Sequence, residues 1–569
     1  MNNLTDIRNR KPFYWLNEDS ITFLERGYLS KGESPYERVR DIADKAEEIL
    51  NIKGFSDKFY DYMSKGFYSL SSPVWSNFGK ERGLSISCFG SYLEDSVPSI
   101  LDTASEVGIM SKHGGGTSGY FGELRPRGAE ISDNGKSSGA VHAMKLFEQV
   151  SDTISQGGVR RGRFSPYLPV EHDDIDEFLE IGTEGNPIQS MTHGVTISDA
   201  WMLDMINGDE EKRRIWAKIL TRRKQLGYPY IMFSDNANDN TVDVYKDKGL
   251  KINNSNLCSE IFLPNNERWS FVCNLSSMNI ERYDEWKDTD AVETMVYFLD
   301  AVMTEFLDDL ESFRDSDKEE DRQTFKHMER AYNFAKENRA LGLGALGWHS
   351  YLQSKMIPFE SVEASKINAE VFSTMQKRSY KASKELAELF GEPEILKGYG
   401  RRNATLNAIA PTTSSSFILG QVSKSIEPFL SNYFVVDTAK VKKTMLNPYL
   451  VELLESKGKH TKEVIEDIRA NDGSVQHLSF LSQREKDVFK TYGEINQYNI
   501  LDQAATRQLF IDQGQSINLH INKEHSTAEQ INELHLFAWA NGVKSLYYQH
   551  STNSAQQLNL SKLCINCEA

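Results

Sequence analysis

Cysteine is scarce in this chain: five residues in 569, at Cys88, Cys258, Cys273, Cys564 and Cys567. An odd count spread so thinly does not build the disulfide framework of a small secreted domain, and leaves thiols that are redox-active, metal-binding or simply buried. Cys564-Ile565-Asn566-Cys567 could be half of a zinc site, but no second CxxC or CxxH pair completes four ligands. A dithiol on a mobile tail is the reading that remains. Positive charge is lacking too. A formal net charge of −17 argues against a sequence-independent nucleic-acid binder, which would show a basic face, while leaving room for nucleotide ligands that need only a few local cations. No apolar run approaches the ~18 residues of a membrane span. The opening MNNLTDIRNRKPFYW has no apolar signal-peptide core. The expectation is a soluble, cytoplasmic protein without repeats, low-complexity segments or a linker sharp enough to divide it.

What is present supports a sizeable core. Hydrophobic residues make up 39% of the chain and aromatics 11%, enough for several domains or one large enzyme core with appendages. Ser34-Pro35-Tyr36-Glu37 reads as a capping box with proline at the first helical position. Val39, Ile42, Ala43, Ala46, Ile49 and Leu50 follow at helical spacing. Glycines crowd His113–Gly119, yet no GK[ST] follows, so this is not a phosphate-binding P-loop. The run Asp315–Asp321 reads as an exposed linker or helix end. Gly342-Leu343-Gly344-Ala345-Leu346-Gly347 matches GxGxxG, but the dinucleotide fingerprint follows a strand and Ala331–Arg339 looks helical. Close packing at a helix start accounts better for these glycines.

The chemistry concentrates at Asn256-Leu257-Cys258-Ser259-Glu260. If this stretch is extended, residues two apart face one side, and an amide, a thiol and a carboxylate share a surface. The amide can hold a substrate hydroxyl, the carboxylate can take its proton, and the sulfur can exchange hydrogen with the same molecule. A buried strand cysteine is the plainer alternative. Further on, Pro411-Thr412-Thr413-Ser414-Ser415-Ser416 places five consecutive hydroxyl side chains at a helix start, where free N–H groups can receive a phosphate. An ordinary N-cap is the alternative. Ser526-Thr527-Ala528-Glu529 caps a helix that Gly542 stops. Val543–Tyr548 then reads as a strand ending in two tyrosines, one facing each side.

Taken together, these pieces resemble the large, catalytic subunit of class I ribonucleotide reductase, from about Ser71 to the C-terminus. Asn256-Leu257-Cys258-Ser259-Glu260 is similar to the family's finger loop, whose cysteine becomes a thiyl radical. Cys88 and Cys273 fall at the reducing pair. Ser155-Gln156-Gly157-Gly158-Val159-Arg160 resembles the loop that links the substrate site to a specificity site, the hydroxyl run the substrate phosphate site, and Tyr547-Tyr548 the radical relay. Cys564 and Cys567 match the tail pair, so every cysteine receives a role.

The resemblance implies a ten-stranded α/β barrel of two five-stranded halves around a central finger loop. The divisions expected are an N-terminal helical region over 1–70, the barrel over 71–553 and a redox-active tail over 554–569. It implies that Cys258 abstracts the 3′-hydrogen of a ribonucleotide, that Glu260 acts as general base and that Asn256 orients the hydroxyl. Cys88 and Cys273 would supply two electrons and close to a disulfide, which Cys564 and Cys567 reopen with thioredoxin or glutaredoxin behind them. Substrate contacts are expected at Ser72, Ser87, Pro411, Thr412, Thr413, Ser414 and Ser415. Effector (d)NTP contacts are expected at Asp95, Arg127 and Arg160, in a homodimer. Thr413 stands where many relatives carry Glu or Gly. No metal or cofactor is expected in this chain; the radical would come from a separate metal-containing small subunit. A cobalamin-dependent class II reductase is the alternative, against which the tyrosine pair speaks. Only 33 residues precede Ser34, so a short form without the N-terminal ATP-cone is expected.

Overall fold

A computed structural model describes residues 11–132, 135–156, 162–437, 442–522 and 526–552. Arg160, Cys564 and Cys567 lie outside the described residues. The N-terminal region is helical, as its capping signals predict. Ser34 accepts from the Glu37 N–H while Glu37 accepts from the Ser34 N–H, opening the helix Pro35–Leu50. Its apolar stripe, Val39, Ile42, Ala43, Ala46 and Leu50, is buried. Inside it, Arg38 donates to the carbonyls of Val74, Trp75 and Phe78, fastening this helix to the short helix Ser72–Asn77.

The central element is a sheet that closes on itself. Strands β1 (Tyr68–Leu70), β2 (Cys88–Tyr92), β3 (Gly116–Tyr120), β4 (Phe164–Pro169), β5 (Gly194–Ile197), β6 (Tyr230–Phe233), β7 (Phe271–Asn279) and β8 (Leu341–Leu346) supply most of it. β2 to β6 run parallel in sequence order, with helices in the crossovers, as parallel pairing requires. The second half starts at β7, which is antiparallel to β2 and parallel to β8. Parallel bridges Leu343–Asn407 and Ile409–Gln515 continue it, and the Tyr547 N–H donates to the Ile517 carbonyl. Ser545–Leu546 then pairs antiparallel with β6. The circuit has ten strand segments, five in each half, in agreement with the expected α/β barrel. β1 pairs with the far part of β7, so the helical N-terminal region runs directly into the sheet.

The glycines of 342–347 sit differently from expectation. Gly342 and Gly344 lie within β8, where an added Cβ would come 2.4 Å from Leu275 and 2.7 Å from the Ala408 carbonyl. They are glycine because two neighbouring strands close on them; only Gly347, at φ 81°, caps a helix. The preceding segment is the helix Glu319–Asn338, so the dinucleotide reading fails on its own criterion. The acidic run joins two helix ends and is exposed.

Candidate active site

Residues 251–265 thread the barrel as a loop rather than a strand, which corrects the extended reading of this stretch. Ser259 adopts a left-handed φ of 63°, so the alternation argument does not apply. Asn256, Cys258 and Glu260 are brought together by a tight turn instead. Nearly every residue from 254 to 265 is buried, and a buried loop survives only if its backbone groups are satisfied. The Asn256 side chain supplies part of this: its Oδ1 accepts from the N–H groups of Glu260 (3.0 Å) and Ile261 (3.1 Å). The barrel supplies the rest. Tyr167 of β4 donates to the Asn256 carbonyl, Ser545 to the Ser259 carbonyl, and the Gly514 N–H to the Glu260 carbonyl. The Ser516 hydroxyl lies 2.6 Å from the Cys258 carbonyl and 3.2 Å from Glu260 Oε2.

Cys88, Cys258 and Cys273 are buried free thiols. Cys88 and Cys273 stand directly opposite in the antiparallel register of β2 and β7. Such pairs have Cα atoms roughly 4.5–5.5 Å apart, within the ~4.4–6.8 Å that a disulfide spans. Asn256 Nδ2 donates to Cys88 Sγ at 3.2 Å, coupling the finger loop to the dithiol. Gln513 Nε2 lies 3.6 Å from Cys273 Sγ, and its Oε1 accepts from the Phe262 N–H. Burial pushes the Cys273 thiol well above the usual range, with the Gln513 amide opposing the shift.

Cys258 packs in one cluster with Leu257, Tyr230 and Tyr547, and Tyr228 and Tyr548 pack against it. The last strand breaks at Tyr547-Tyr548. The two rings are 4.4 Å apart between centroids, and Tyr230 lies 4.7 Å from Tyr547 and 5.2 Å from Tyr548. Adjacent tyrosines in a regular strand would face opposite ways; here they touch.

The remaining site residues divide into two groups. The hydroxyl run opens the helix Thr413–Ile418 after Pro411, with Thr412 at φ 56° as its N-cap. Ser69 donates to the Ser415 carbonyl and Ser415 to the Leu70 carbonyl, which sets this helix start beside Ser71 and Ser72. Ser72 is 3.2 Å from the Tyr28 hydroxyl. The hydroxyls of Ser71 and Ser87 are buried without a hydrogen-bond partner among the described residues. In the second group, Asp95 pairs with Arg125 at 2.6 Å, and Arg127 forms a two-pronged pair with Glu177 at 2.7 and 2.8 Å. Gln156 is wedged against Gly114, where a Cβ would stand 2.3 Å from its Oε1, and donates to Asn77. Sequence reasoning missed Tyr167, Tyr230, Gln513, Ser516 and Ser545. Their only trace was Tyr228-Pro229-Tyr230 and the amide-rich Asp512–Ser516, each distant in the chain from the cysteines they serve.

A ten-stranded barrel with a thiol-tipped loop through its centre and a dithiol across two strands is a narrow class. A family model described as ribonucleotide reductase, barrel domain, matches residues 86–212, 208–394 and 392–549. The chain belongs to the ribonucleotide reductase family. It is 37% identical over 512 residues to a putative ribonucleoside-diphosphate reductase large subunit of Frog virus 3, covering 87% of each chain. It is 32% identical over 606 residues to the ribonucleoside-diphosphate reductase large subunit of Invertebrate iridescent virus 3, covering 93% of this chain and 92% of that one. Among solved structures, the alpha subunit of the class Id ribonucleotide reductase of Actinobacillus ureae superposes with a TM-score of 0.89 at 53% identity, covering 97% of this chain and 100% of that one. Among the described residues no helix is long and apolar enough to cross a membrane, and no cluster of three metal-ligating side chains occurs.

Proposed function

We infer that this chain is the large, catalytic subunit of a class I ribonucleoside-diphosphate reductase, reducing ribonucleotides at C2′ with a radical supplied by a separate small subunit. Membership of class Id is the finer reading that the 53% identity to the Actinobacillus ureae subunit favours. The observation that carries the mechanism is the coupling of Asn256 to Cys88, with Cys88 opposite Cys273 and Cys258 two residues along the same turn.

In this reading a Cys258 thiyl abstracts the 3′-hydrogen. Glu260 takes the 3′-hydroxyl proton as general base, which eases loss of the 2′-hydroxyl as water. Cys88 and Cys273 give two electrons and the accompanying protons, and their sulfurs bond. Cys258 returns hydrogen to C3′. Asn256 orients the substrate hydroxyl, and the hydroxyls of Ser71 and Ser87, buried without a partner among the described residues, would be satisfied by a bound ribose or phosphate. Ser72 and the stretch from Pro411 to Ser415 form the phosphate side. Cys564 and Cys567 reopen the disulfide by exchange, with thioredoxin or glutaredoxin behind them. Asp95, Arg127 and Arg160 contact a (d)NTP effector in a homodimer. The tyrosine cluster against Cys258 favours a relay from a partner over adenosylcobalamin.

The test is ribonucleoside diphosphate reduction by the chain with and without a metal-loaded small subunit, alongside Cys564→Ser/Cys567→Ser. Activity should need the small subunit. The double variant should lose turnover with thioredoxin yet complete one round when Cys88 and Cys273 start reduced. Activity that needs adenosylcobalamin and no second protein would overturn the reading.

A further inference from the structure

The helix Glu210–Leu226 places a guanidinium behind the tyrosine cluster. Arg223, in its last turn, is fully buried. Its Nη1 donates to the carbonyls of Pro229 at 2.6 Å and Tyr547 at 2.9 Å, and its Nε to His535 Nε2 at 3.1 Å. Among the described residues the buried Nη2 has no hydrogen-bond partner and no carboxylate forms an ion pair with Arg223. His535 is fixed as an acceptor, because its Nδ1 donates to the Ile531 carbonyl. Burial and the guanidinium push its pKa down to about 3, so it brings no compensating charge and no competing one. Burial lowers the Arg223 pKa to about 9, which leaves it charged at neutral pH.

A buried cation facing only dipoles is costly, and an apolar side chain would pack there more cheaply. The fold nevertheless sustains it where the sheet changes. Up to Leu546 the final strand is laddered to β6, and from Gln549, whose N–H donates to the Gly227 carbonyl, pairing resumes. Between them the Tyr547 carbonyl finds Arg223. The Tyr547 N–H still donates to the Ile517 carbonyl, and the Tyr548 N–H turns to Asn518 Oδ1. One face of the strand has thus exchanged a ladder donor for a guanidinium. Across that break the adjacent tyrosine rings approach to 4.4 Å. The second carbonyl held by the same Nη1 belongs to Pro229, one residue before Tyr230, whose ring is 4.7 Å from Tyr547.

We propose that Arg223 is a positioning residue for the tyrosine relay: by bridging the carbonyls of Pro229 and Tyr547, it holds the strand break that brings Tyr230, Tyr547 and Tyr548 into contact at the cluster that includes Cys258. The proposal rests on the relay reading given above. Arg223 acts through the backbone carbonyls of the two segments it bridges. A lysine could keep the charge but not the rigid fork that also engages His535.

The test uses the chain reconstituted with its radical-supplying subunit, comparing Arg223→Gln, Arg223→Lys and, as a control, Tyr547→Phe. Melting temperature and nucleotide affinity report folding; kcat and KM report function. Arg223→Gln should lower kcat by ~10–100-fold, the scale on which small misplacements act, with KM and nucleotide affinity nearly unchanged. Arg223→Lys should recover part of the loss. A folded Arg223→Gln with kcat close to the parent overturns the proposal, as does a folded Arg223→Lys at full activity should Arg223→Gln fail to fold. Unfolding of both variants would confine Arg223 to a structural role and overturn it too. If Tyr547→Phe retains turnover, it is the relay reading that fails, whatever the Arg223 variants do.

Discussion

Replacing Asn256 with alanine should loosen the finger loop by an amount the structure lets one work out. The Asn256 Oδ1 is the acceptor for two buried N–H groups, those of Glu260 and Ile261. Truncation leaves both without that acceptor inside a buried loop. Each orphaned donor costs about 1–3 kcal/mol, so the loop should lose about 2–6 kcal/mol of local stability. At about 1.4 kcal/mol per decade, local opening becomes ~30-fold to ~20,000-fold more frequent. The loop keeps its outer ties, from Gly514 to the Glu260 carbonyl and from Ser545 to the Ser259 carbonyl, so the barrel itself should stay folded. Hydrogen exchange followed by mass spectrometry on peptides covering 251–265 reads the loop, and the helix Ala291–Arg314 serves as an internal reference. Faster exchange in the loop alone, with loss of turnover, is the expected pattern. Protection in the loop within about threefold of the parent would refute the claim that this amide holds the turn.

Other outcomes follow from the same geometry. Tyr547→Phe and Tyr548→Phe should each preserve melting temperature and nucleotide binding while removing turnover, since a phenyl ring fills the same space but cannot be oxidised in its place. Asp300→Asn should cost about 3–5 kcal/mol in denaturant unfolding, because Arg339 and Arg402 both donate to this buried carboxylate. Burial alone would raise the Asp300 pKa, but the two guanidiniums more than offset it and hold it below the ordinary range. Its contribution is therefore complete above about pH 4 and lost as pH falls below that, so Asp300→Asn should flatten the acid limb of the stability profile. Cys273, whose thiol burial pushes up, should still react faster with iodoacetamide as pH climbs past 9. An ordinary thiol, with a pKa of about 8.5, levels off there; a plateau at pH 9 would contradict the shift.

The trio Asn256, Cys258 and Glu260 was legible because its signal is local, residue types at fixed short spacing; the barrel came from the family resemblance that such motifs carry. The reason first offered for the trio was not right. Period-two alternation predicts a shared face, whereas the left-handed Ser259 makes a turn that gathers the same three side chains. The glycines of β8 misled in the same way, since a close approach between strands looks in sequence like a helix start. The opposition of Cys88 and Cys273 came from family resemblance, because the register of two strands far apart in the chain leaves no local trace. Tyr230, Gln513, Ser516 and Arg223 were illegible for the same cause. Each acts across the barrel on a residue hundreds of positions away or through a backbone carbonyl, and carbonyls carry no sequence signature. The capping box at Ser34, by contrast, was written in four consecutive residues and formed as expected, while the cap read at Ser526–Glu529 formed one residue further on, between Thr527 and Gln530.

The central claim is that Cys88 and Cys273 reduce the substrate after chemistry at Cys258. It is tested most directly by one turnover without external reductant. Pre-reduced chain, with Cys564→Ser/Cys567→Ser to block internal exchange, is mixed with the small subunit and a ribonucleoside diphosphate, quenched, and mapped by thiol alkylation. One Cys88–Cys273 disulfide should appear for each deoxynucleotide formed, and none when Cys258→Ser is added. Deoxynucleotide produced while Cys88 and Cys273 both remain open to alkylation, or produced by the Cys258→Ser chain, would contradict the account.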